Sequence, residues 1–413
     1  MSASSSSSVA TDLTAAAPAA VTFFTSESVT SGHPDKVADT ISDALLDEAI
    51  RRDPEARVAI ETLVKADRVI IAGEIRLAGG ADAFPAEDRA AVVRQTLREL
   101  GYDGDASASF RADLVRIDDI IGEQSSEIAA GVDAARDAAE VAAAAGDAGE
   151  ATGAGDQGLM FGYATDETPE LMPLPVLLAH RLTQGLEGAR RSGEVPWLRP
   201  DGKAQVTVRI AGGEPVGVET VVVSTQHAAE VSLEEVRRWI TDTLVPRCLG
   251  SWFDPADPPT VHANPAGSFT VGGPEADAGV TGRKIIVDTY GGAARHGGGA
   301  FSGKDATKVD RTAAYYARHV ARAIVAAGLA RRAEIQLAYA IGRATPVSIA
   351  VETFGTGDPA AARRFVEQQG RFDFTPAGMI EQLGLRTPCF RNTTNHGHFG
   401  RPGLAWERPH QPF

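Results

Sequence analysis

The hydrophobic and polar positions of this chain repeat one order of elements three times. Each copy begins with a helical pattern, continues with two strand patterns, and ends with a second helix and a further extended segment. The first helices have apolar faces formed by Val37, Ile41, Ala44, Leu45 and Ala49, by Leu178, Leu182, Leu186 and Ala189, and by Val309, Ala313, Tyr316, Val320, Ile324 and Ala327. The predicted strands are 57–64 and 68–75, 204–210 and 216–224, and 334–340 and 346–352. The second helices are predicted over 87–100 and 233–244 and from near residue 358.

This repetition predicts an α+β fold of three similar modules, an internal pseudo-threefold repeat. Each module is expected to be an antiparallel sheet with helices packed on one face. The predicted limits are a disordered tail (1–20), an N-terminal module (21–127), a mobile Ala/Gly-rich loop (128–152), a central module (153–265) and a C-terminal module (266–413). Terminal strands are open to exchange between modules, and the pattern does not say which strands pair. The Ala/Gly-rich loop is either a lid or an insertion without function.

Composition and charge narrow the class of partner. The 413 residues carry a formal net charge of −15 at pH 7, which argues against general binding to nucleic acid or to a membrane surface. No apolar run is long enough to span a bilayer. Cys248 and Cys389 are the two cysteines, a number that suits a reducing compartment and excludes a disulfide framework or a cysteine zinc site. The first twenty residues lack the pattern of a secretory or transit signal. We therefore expect a cytoplasmic protein.

The strongest chemical signal is a glycine-rich window from 283 to 310. The pattern predicts a buried strand at 285–287, a glycine-rich loop at 291–303 and a helix that begins near 308–310. Backbone amides of such a loop and the N-terminus of a helix bind phosphate. The window also concentrates five cations in an acidic chain: Arg283, Lys284, Arg295, Lys304 and Lys308. It predicts a polyphosphate ligand, and the alternative is an ordinary surface loop with solvated lysines.

Two familiar nucleotide-binding motifs fit this sequence only in part. The segment 298–304 has the spacing G-x-x-x-x-G-K, but Asp305 follows where a magnesium-binding hydroxyl is required. A phosphate-loop ATPase is therefore the weaker interpretation. The segment 153–158 fits G-x-G-x-x-G, but an Ala/Gly/Asp-rich run precedes it instead of a strand. We reject a dinucleotide-binding fold on that ground.

A second chemical signal lies where the first helix begins, at Gly32-His33-Pro34-Asp35-Lys36. Pro34 takes the first helical position, and Asp35 lies in the first turn. Asp35 is either a cap that stabilises the helix dipole or a magnesium ligand beside a phosphate site.

Six motifs, in this order along the chain, resemble the S-adenosylmethionine synthetase (methionine adenosyltransferase) family. They lie at 32–36, 153–158, 197–201, 224–227, 297–305 and 397–401, and the resemblance extends from 23 to 406. It implies that ATP and L-methionine form S-adenosylmethionine by attack of the methionine sulfur on ribose C5′. It also implies that the released triphosphate is hydrolysed to phosphate and pyrophosphate. A thioether has no proton to remove, so this chemistry needs cations and alignment instead of a base.

The resemblance also implies roles for individual residues. The implied catalytic residues are His33, Lys203, Arg283 and Lys304. The implied ATP contacts are His33, Asp201, Lys203, Phe269, Asp277, Arg283, Lys284, Ala300 and Lys304. The implied methionine contacts are Glu74, Gln124, Asp277 and Lys308. Two Mg²⁺ per site are expected on Asp35 and Asp310, and one K⁺ per subunit on Glu61.

The family resemblance further implies a homo-oligomer, a dimer or a dimer of dimers, with active sites between subunits. Three positions depart from the family pattern, namely Ser268, Ala278 and His396. None of the three carries a charge that the chemistry needs.

Two other functions remain as alternatives to S-adenosylmethionine synthesis. One is an ATP-dependent phosphotransferase that uses the segment 298–304, and Asp305 speaks against it. The other is a non-catalytic nucleotide-binding regulator of the same fold. Its weakness is that a regulator would not need the full set His33, Asp35, Lys203, Lys304 and Asp310.

Overall fold

The computed structural model describes residues 20–104, 108–123 and 153–410. The predicted loop over 128–152 lies outside the described residues, as do Gln124 and all but the last residue of the predicted tail.

The described chain forms three sheets and a set of helices. The strands are β1 (Thr22–Val29), β2 (Arg57–Lys65), β3 (Arg68–Arg76), β4 (Arg116–Gly122), β5 (Gly158–Thr165), β6 (Leu198–Ala211), β7 (Glu214–His227), β8 (Thr260–Ala263), β9 (Gly279–Val280), β10 (Arg332–Tyr339) and β11 (Ser348–Glu352). The α-helices are α1 (Pro34–Arg52), α2 (Ala86–Leu100), α3 (Leu174–Arg191), α4 (Leu233–Trp239), α5 (Val245–Leu249), α6 (Gly273–Ala276), α7 (Ile285–Asp288), α8 (Val309–Ala326), α9 (Pro359–Glu367) and α10 (Pro376–Leu383).

The helices and hairpins predicted in the three copies are present, with bounds that differ by a few residues in most cases. Helices α1, α3 and α8 bury the apolar faces that the periodicity indicated, except that Ala327 is exposed at the C-terminus of α8. The helix predicted over 233–244 continues further. A π-helical turn, Ile240–Leu244, joins α4 to α5 just before Pro246, where a missing amide hydrogen interrupts regular helical bonding.

The predicted strand at 285–287 is wrong, because these residues form the short helix α7. The amide of Asp288 donates to the carbonyl of Lys284 over 2.8 Å. The strand edge nearest in the chain is already occupied: Thr281 donates to Thr62 of β2 over 3.0 Å, and Asp305 donates to Val58 over 3.1 Å. A further strand has no free edge of β2 to join, so the short apolar run coils into one helical turn instead.

The sheet orders are β4-β3-β2-β9 (the first sheet), β1-β6-β7-β8 (the second) and β11-β10-β5 (the third). Most pairs are antiparallel, but β3–β4 and β7–β8 are parallel. The prediction of purely antiparallel sheets is therefore wrong for two of the three. The reason is the connection, since α2 joins β3 to β4 and α4 with α5 joins β7 to β8. A helical crossover lets the next strand run in the same direction.

Each sheet receives one strand from another part of the chain. Strand β1 pairs with β6, β5 pairs with β10, and β9 pairs with β2. One apolar core lies around α1, α8 and the first and third sheets, and a second lies between α3, α4, α5 and the second sheet. The exchange of terminal strands between modules stays a prediction. The pseudo-threefold equivalence and the limits of the modules stay predictions.

Candidate functional site

The start of α1 brings together one group of the predicted site residues. His33 caps the helix, and its Nδ1 accepts the amide hydrogen of Asp35 over 3.2 Å. Asp35 is buried, and its Oδ2 lies 2.6 Å from Nζ of Lys284. Its Oδ1 accepts from the amide of Val280 over 3.1 Å and lies 3.6 Å from the guanidinium of Arg283. We call His33, Asp35, Arg283 and Lys284 the His33 group.

The charges of this group are set by burial and by one another. Burial, together with the charges of the nearby ammonium groups of Lys284 and Lys203, lowers the pKa of His33 to about 4 against the opposing effects of Asp35 and Asp277. The ring is therefore neutral at neutral pH. Burial by itself would raise the pKa of Asp35, but the hydrogen bond and the charge of Lys284 hold it below its ordinary value. Asp35 is consequently an ionised carboxylate, which is the form that binds cations.

Asp201 and Lys203 approach this group from β6. Asp201 is buried and accepts from the amide of Gly273 over 2.8 Å, and burial raises its pKa to about 6. Nζ of Lys203 lies 2.6 Å from the carboxylate of Glu27, and the lysine side chain is 47% exposed. Lys203 is thus held at one end by an acid and is accessible to a ligand.

Phe269 and Asp277 flank α6. The amide of Phe269 donates to Nε2 of His227 over 3.0 Å. Asp277 is exposed at the C-terminus of α6, where its Oδ1 accepts from the amide of Ala278 over 2.8 Å. Both side chains lie on the segment that leads from β8 to the His33 group.

The glycine-rich loop carries the second group. Nζ of Lys304 lies 2.5 Å from Oδ2 of Asp310, in the first turn of α8. Nζ of Lys308 lies 2.5 Å from Oδ2 of Asp305. A Cβ on Gly299 would come within 2.4 Å of Oδ1 of Asp310, so a larger residue at this position would displace the Asp310 side chain. We call Lys304, Lys308 and Asp310 the Lys304 group.

Asp305 has a role that the sequence did not reveal. Its carboxylate is buried and accepts from the amide of Val58 over 2.6 Å as well as from Lys308. Burial would raise the pKa of Asp305, but the charge of Lys308 and several hydrogen bonds hold it below its ordinary value. Asp305 therefore fixes the loop to β2 as an inward-facing anchor.

Glu61 and Glu74 lie on the first sheet. Glu61 is opposite Ala72 in the β2–β3 register, and Glu74 is opposite Ala59. Side chains alternate between the two faces of a sheet along each strand. Val58 and Ile60 are buried on the face of the sheet toward α1, so Glu61 and Glu74 point to the opposite face. Ala300, from the glycine-rich loop, lies beside Gly282. Within this one chain, the structure thus forms two separate groups, the His33 group and the Lys304 group. It leaves Glu61 and Glu74 on an outer sheet face.

Sequence reasoning missed a row of aspartates along α1. Asp35, Asp39, Asp43 and Asp47 recur every fourth residue and are all buried. Asp39 accepts from Nζ of Lys36 over 3.0 Å and from the amide of Gly282 over 2.8 Å. Asp47 accepts from the three amides of residues 389–391. Four acids at this spacing were visible in the sequence. Asp35 and Asp39 anchor the segment 280–284, Asp43 anchors the glycine-rich loop at Gly303, and Asp47 anchors the segment 389–391.

The described helices include none that is long and apolar enough to cross a membrane.

Comparison with known proteins identifies the family. An α+β fold with a glycine-rich loop that carries lysines is typical of an enzyme that acts on an anionic substrate. Profiles described as the N-terminal, central and C-terminal domains of S-adenosylmethionine synthetase match residues 21–126, 151–269 and 271–408.

Two relatives agree with the profiles. An S-adenosylmethionine synthase of Thermus thermophilus is 53% identical over 388 residues, which is 94% of this chain and 96% of the relative. An S-adenosylmethionine synthase of Sulfurovum sp. is 51% identical over 387 residues, which is 93% of this chain and 95% of the relative. The chain therefore belongs to the S-adenosylmethionine synthetase family. This membership confirms the predicted family and the predicted activity, an adenosyl transfer that forms S-adenosylmethionine.

Proposed function

We propose that the chain uses ATP and L-methionine, and that the methionine sulfur attacks ribose C5′ directly. The sulfur lone pair forms the new S–C bond while the C5′–O bond breaks and its electron pair leaves with the triphosphate. Hydrolysis of the triphosphate then gives phosphate and pyrophosphate. The observation that carries this proposal is the concentration of cations in a chain of net charge −15: Arg283 and Lys284 beside His33, and Lys304 and Lys308 at the glycine-rich loop.

The charge state of His33 supports a mechanism without a general base. Its Nδ1 is occupied by the amide hydrogen of Asp35, so the neutral ring carries its proton on Nε2 and can donate a hydrogen bond to an anion. In the proposed mechanism His33 donates near the breaking bond, and Lys203, Arg283 and Lys304 offset charge on the departing triphosphate. Asp201, Phe269, Asp277, Lys284 and Ala300 complete the proposed ATP contacts. Glu74, Asp277 and Lys308 are the proposed methionine contacts, with Gln124 outside the described residues.

Magnesium, two ions per site, is proposed to be held by Asp35 and Asp310. Among the described residues, no cluster of three or more His, Cys, Asp or Glu is arranged to hold a metal ion. Mg²⁺ usually takes one or two carboxylates and completes its coordination with substrate phosphates and water, so two separate carboxylates fit an ion that arrives with ATP. When bound, magnesium would neutralise charge on the triphosphate.

Asp35→Asn should lower turnover at limiting magnesium by about tenfold, because the amide keeps the shape but loses the charge that attracts the ion. Turnover should be measured across a magnesium titration, beside the thermal melting temperature. Asp166→Asn is the control, because Asp166 pairs with Arg331 at 2.8 Å on the surface. Full activity of Asp35→Asn at limiting magnesium would show that Asp35 is not a magnesium ligand.

Potassium, one ion per subunit, is proposed to bind at Glu61. We expect activity to rise when potassium replaces sodium at constant ionic strength, and Glu61→Gln to lose most of that response. Glu352→Gln, an exposed glutamate on β11, should keep the response of the parent protein. If Glu61→Gln also keeps it, the assignment is wrong.

A homo-oligomer, a dimer or a dimer of dimers, is proposed to complete the site. The outer face of the first sheet carries Glu61 and Glu74 together with Leu63 and Ile120, which are 38% and 66% exposed. Exposed apolar side chains beside implied ligand-binding glutamates favour burial of this face against a second copy. The proposed partners are thus ATP, methionine and a further copy of the chain, without nucleic acid or membrane, and the proposed location is the cytoplasm.

The test of the proposed function is incubation of the purified protein with ATP, methionine and magnesium, followed by mass spectrometry. S-adenosylmethionine, phosphate and pyrophosphate are the expected products. ADP as the nucleotide product would support the phosphotransferase alternative. Nucleotide binding without any product would support the regulator.

A further inference from the structure

Behind the glycine-rich loop, Asp43 of α1 and Arg311 of α8 form a fully buried ion pair. The two terminal guanidinium nitrogens of Arg311 lie 2.7 and 2.9 Å from the two carboxylate oxygens of Asp43. Both side chains are 0% exposed. Burial would raise the pKa of Asp43, but the charge and hydrogen bonds of Arg311 hold it below its ordinary value. The pair is therefore ionised and bidentate, which is the most directional form of this interaction.

Three further hydrogen bonds of this pair go to the backbone around Lys304. Oδ1 of Asp43 accepts from the amide of Gly303 over 2.9 Å. Nη1 of Arg311 donates to the carbonyl of Phe301 over 3.0 Å and to the carbonyl of Lys304 over 3.3 Å. The pair thus holds three backbone groups within the four residues 301–304.

The loop is also confined on its other side. Gly303 has a φ of +80°, and a Cβ there would lie 1.9 Å from the carbonyl oxygen of Ile60. The amide of Ile60 in turn donates to the carbonyl of Gly303 over 3.0 Å. The segment 301–304 is therefore held between β2 and the buried pair, with little freedom to move toward either.

The other polar atoms of the pair are also occupied. Nε of Arg311 donates to the hydroxyl of Tyr315 over 3.0 Å, and Oδ2 of Asp43 accepts from the hydroxyl of Thr394 over 2.8 Å. The guanidinium carbon lies 4.1 Å from the ring centroid of Phe390. A buried ion pair generally adds little net stability, because desolvation offsets the attraction. The main effect of this ion pair is therefore to fix the backbone geometry of the segment 301–304.

We propose that Asp43 and Arg311 are positioning residues for Lys304. This inference rests on the role proposed above for Lys304 at the triphosphate. Asp310, the neighbour of Arg311 on α8, lies 2.5 Å from the ammonium of Lys304. Adjacent residues of one helical turn thus hold the backbone carbonyl and the side-chain nitrogen of the same lysine. The buried pair fixes the position of the Lys304 backbone, from which the side chain extends toward the ligand.

The test is Arg311→Lys, made in the parent chain and in a Lys304→Met chain. Lysine keeps a positive charge beside Asp43 but loses the planar fork that binds both carboxylate oxygens. It therefore also loses the fixed position of Nη1, which donates to the carbonyls of Phe301 and Lys304. In the parent chain, we expect turnover at saturating ATP and methionine to fall about tenfold, with a smaller change in KM. In the Lys304→Met chain, the same substitution should cost less than about twofold, because the residue being positioned is absent.

A matched control separates positioning from general loss of stability. Arg318 is a second fully buried arginine of α8, with Nε 3.0 Å from Glu407 and Nη1 2.7 Å from the carbonyl of Tyr163. Arg318→Lys should lower the melting temperature as Arg311→Lys does, but leave turnover within about twofold of the parent.

The outcomes distinguish the inference from the function on which it rests. Equal fold-losses from Arg311→Lys in the two backgrounds would show a structural role and overturn the inference alone. Full turnover by Lys304→Met would overturn both the role of Lys304 and the inference. Should Arg311→Lys fail to fold, the uncharged pair Asp43→Asn with Arg311→Gln replaces it. That double variant is expected to fold with reduced turnover, and normal turnover would overturn the inference.

Discussion

Lys203→Met should lower turnover at saturating substrates by about a hundredfold, while the affinity for ATP changes far less. Negative charge builds on the departing oxygen of the triphosphate as the C5′–O bond breaks. An ammonium group near that oxygen therefore stabilises the transition state more than it stabilises bound ATP. Turnover should be measured at saturating ATP and methionine, and ATP affinity by calorimetry on the same preparation.

The structure makes this substitution a clean test. The Lys203 side chain is 47% exposed, and its ammonium contacts the carboxylate of Glu27, so methionine there should not disturb a core. Arg209→Met is the matched control. Arg209 lies on the same strand and pairs with Asp257 at 2.6 Å, but it lies near the far end of that strand. We expect its loss to leave turnover nearly unchanged.

The pH profile adds a second readout to the same variant. Because the pKa of His33 is lowered to about 4, its ring stays neutral from about pH 5.5 to about pH 8. The loss of turnover in Lys203→Met should then have the same size across that range. Weakened ATP binding with normal turnover at saturation would make Lys203 a binding residue and would contradict the mechanism.

Local periodicity predicted most helices and hairpins because each has one apolar face that is buried in one of the two cores. The helix α8 is the clearest case, since Val309, Ala313, Val320 and Ile324 are all fully buried. The strand prediction for 285–287 was wrong because this apolar run is too short to show a period. Its conformation depends on which segments already pair with β2. Parallel pairing of β3 with β4 depends on the path of α2, and the strand patterns themselves do not encode it.

Candidate site residues could be picked out from contiguous motifs, and the roles given to them stay predictions. His33 and Asp35 share one motif, and Lys304 and Lys308 share another. The anchoring role of buried acids such as Asp43 and Asp47 could not be predicted, because their partners are distant in the sequence. Asp43 contacts Arg311 across 268 positions, and a charge in a helical pattern gives no sign of such a partner. Asp305 was read as a missing hydroxyl, whereas its carboxylate faces inward to β2.

Acid should destabilise the fold through histidines that are buried in the neutral form. Burial lowers the pKa of His33 and His319 to about 4, lowers that of His180 to about 3, and lowers that of His398 well below its ordinary value. In the unfolded chain each titrates near 6.5. The unfolded state therefore binds more protons than the folded state below about pH 6.5, and each histidine makes stability fall as the pH falls.

Several buried acids act in the opposite direction, and Asp201 and Asp288 are two examples. Burial raises the pKa of Asp201 to about 6 and that of Asp288 to about 7. These carboxyls bind protons in the folded state before they would in the unfolded chain, so they add stability as the pH falls through those values. The whole protein shows the sum of these contributions and of those from acids whose pKa is lowered, such as Asp43 and Glu187. A single-histidine variant is therefore needed to isolate one contribution.

His180→Gln provides that isolation. Nδ1 of His180 lies 2.8 Å from the hydroxyl of Ser28, and after burial the largest effects on its pKa come from His396, Arg401 and Lys36. Between about pH 7.5 and about pH 5, the parent should lose about 2 kcal/mol of unfolding free energy through this residue, and the variant should not.

Urea unfolding at several pH values, at one protein concentration, measures the effect of His180→Gln. The variant should show a shallower dependence of stability on pH, by about one proton near pH 5.5. His262→Gln is the control, because His262 lies exposed on β8 and its surroundings change little on unfolding. If His180→Gln and the parent lose the same free energy between the two pH values, then His180 is not held neutral by burial in the folded protein.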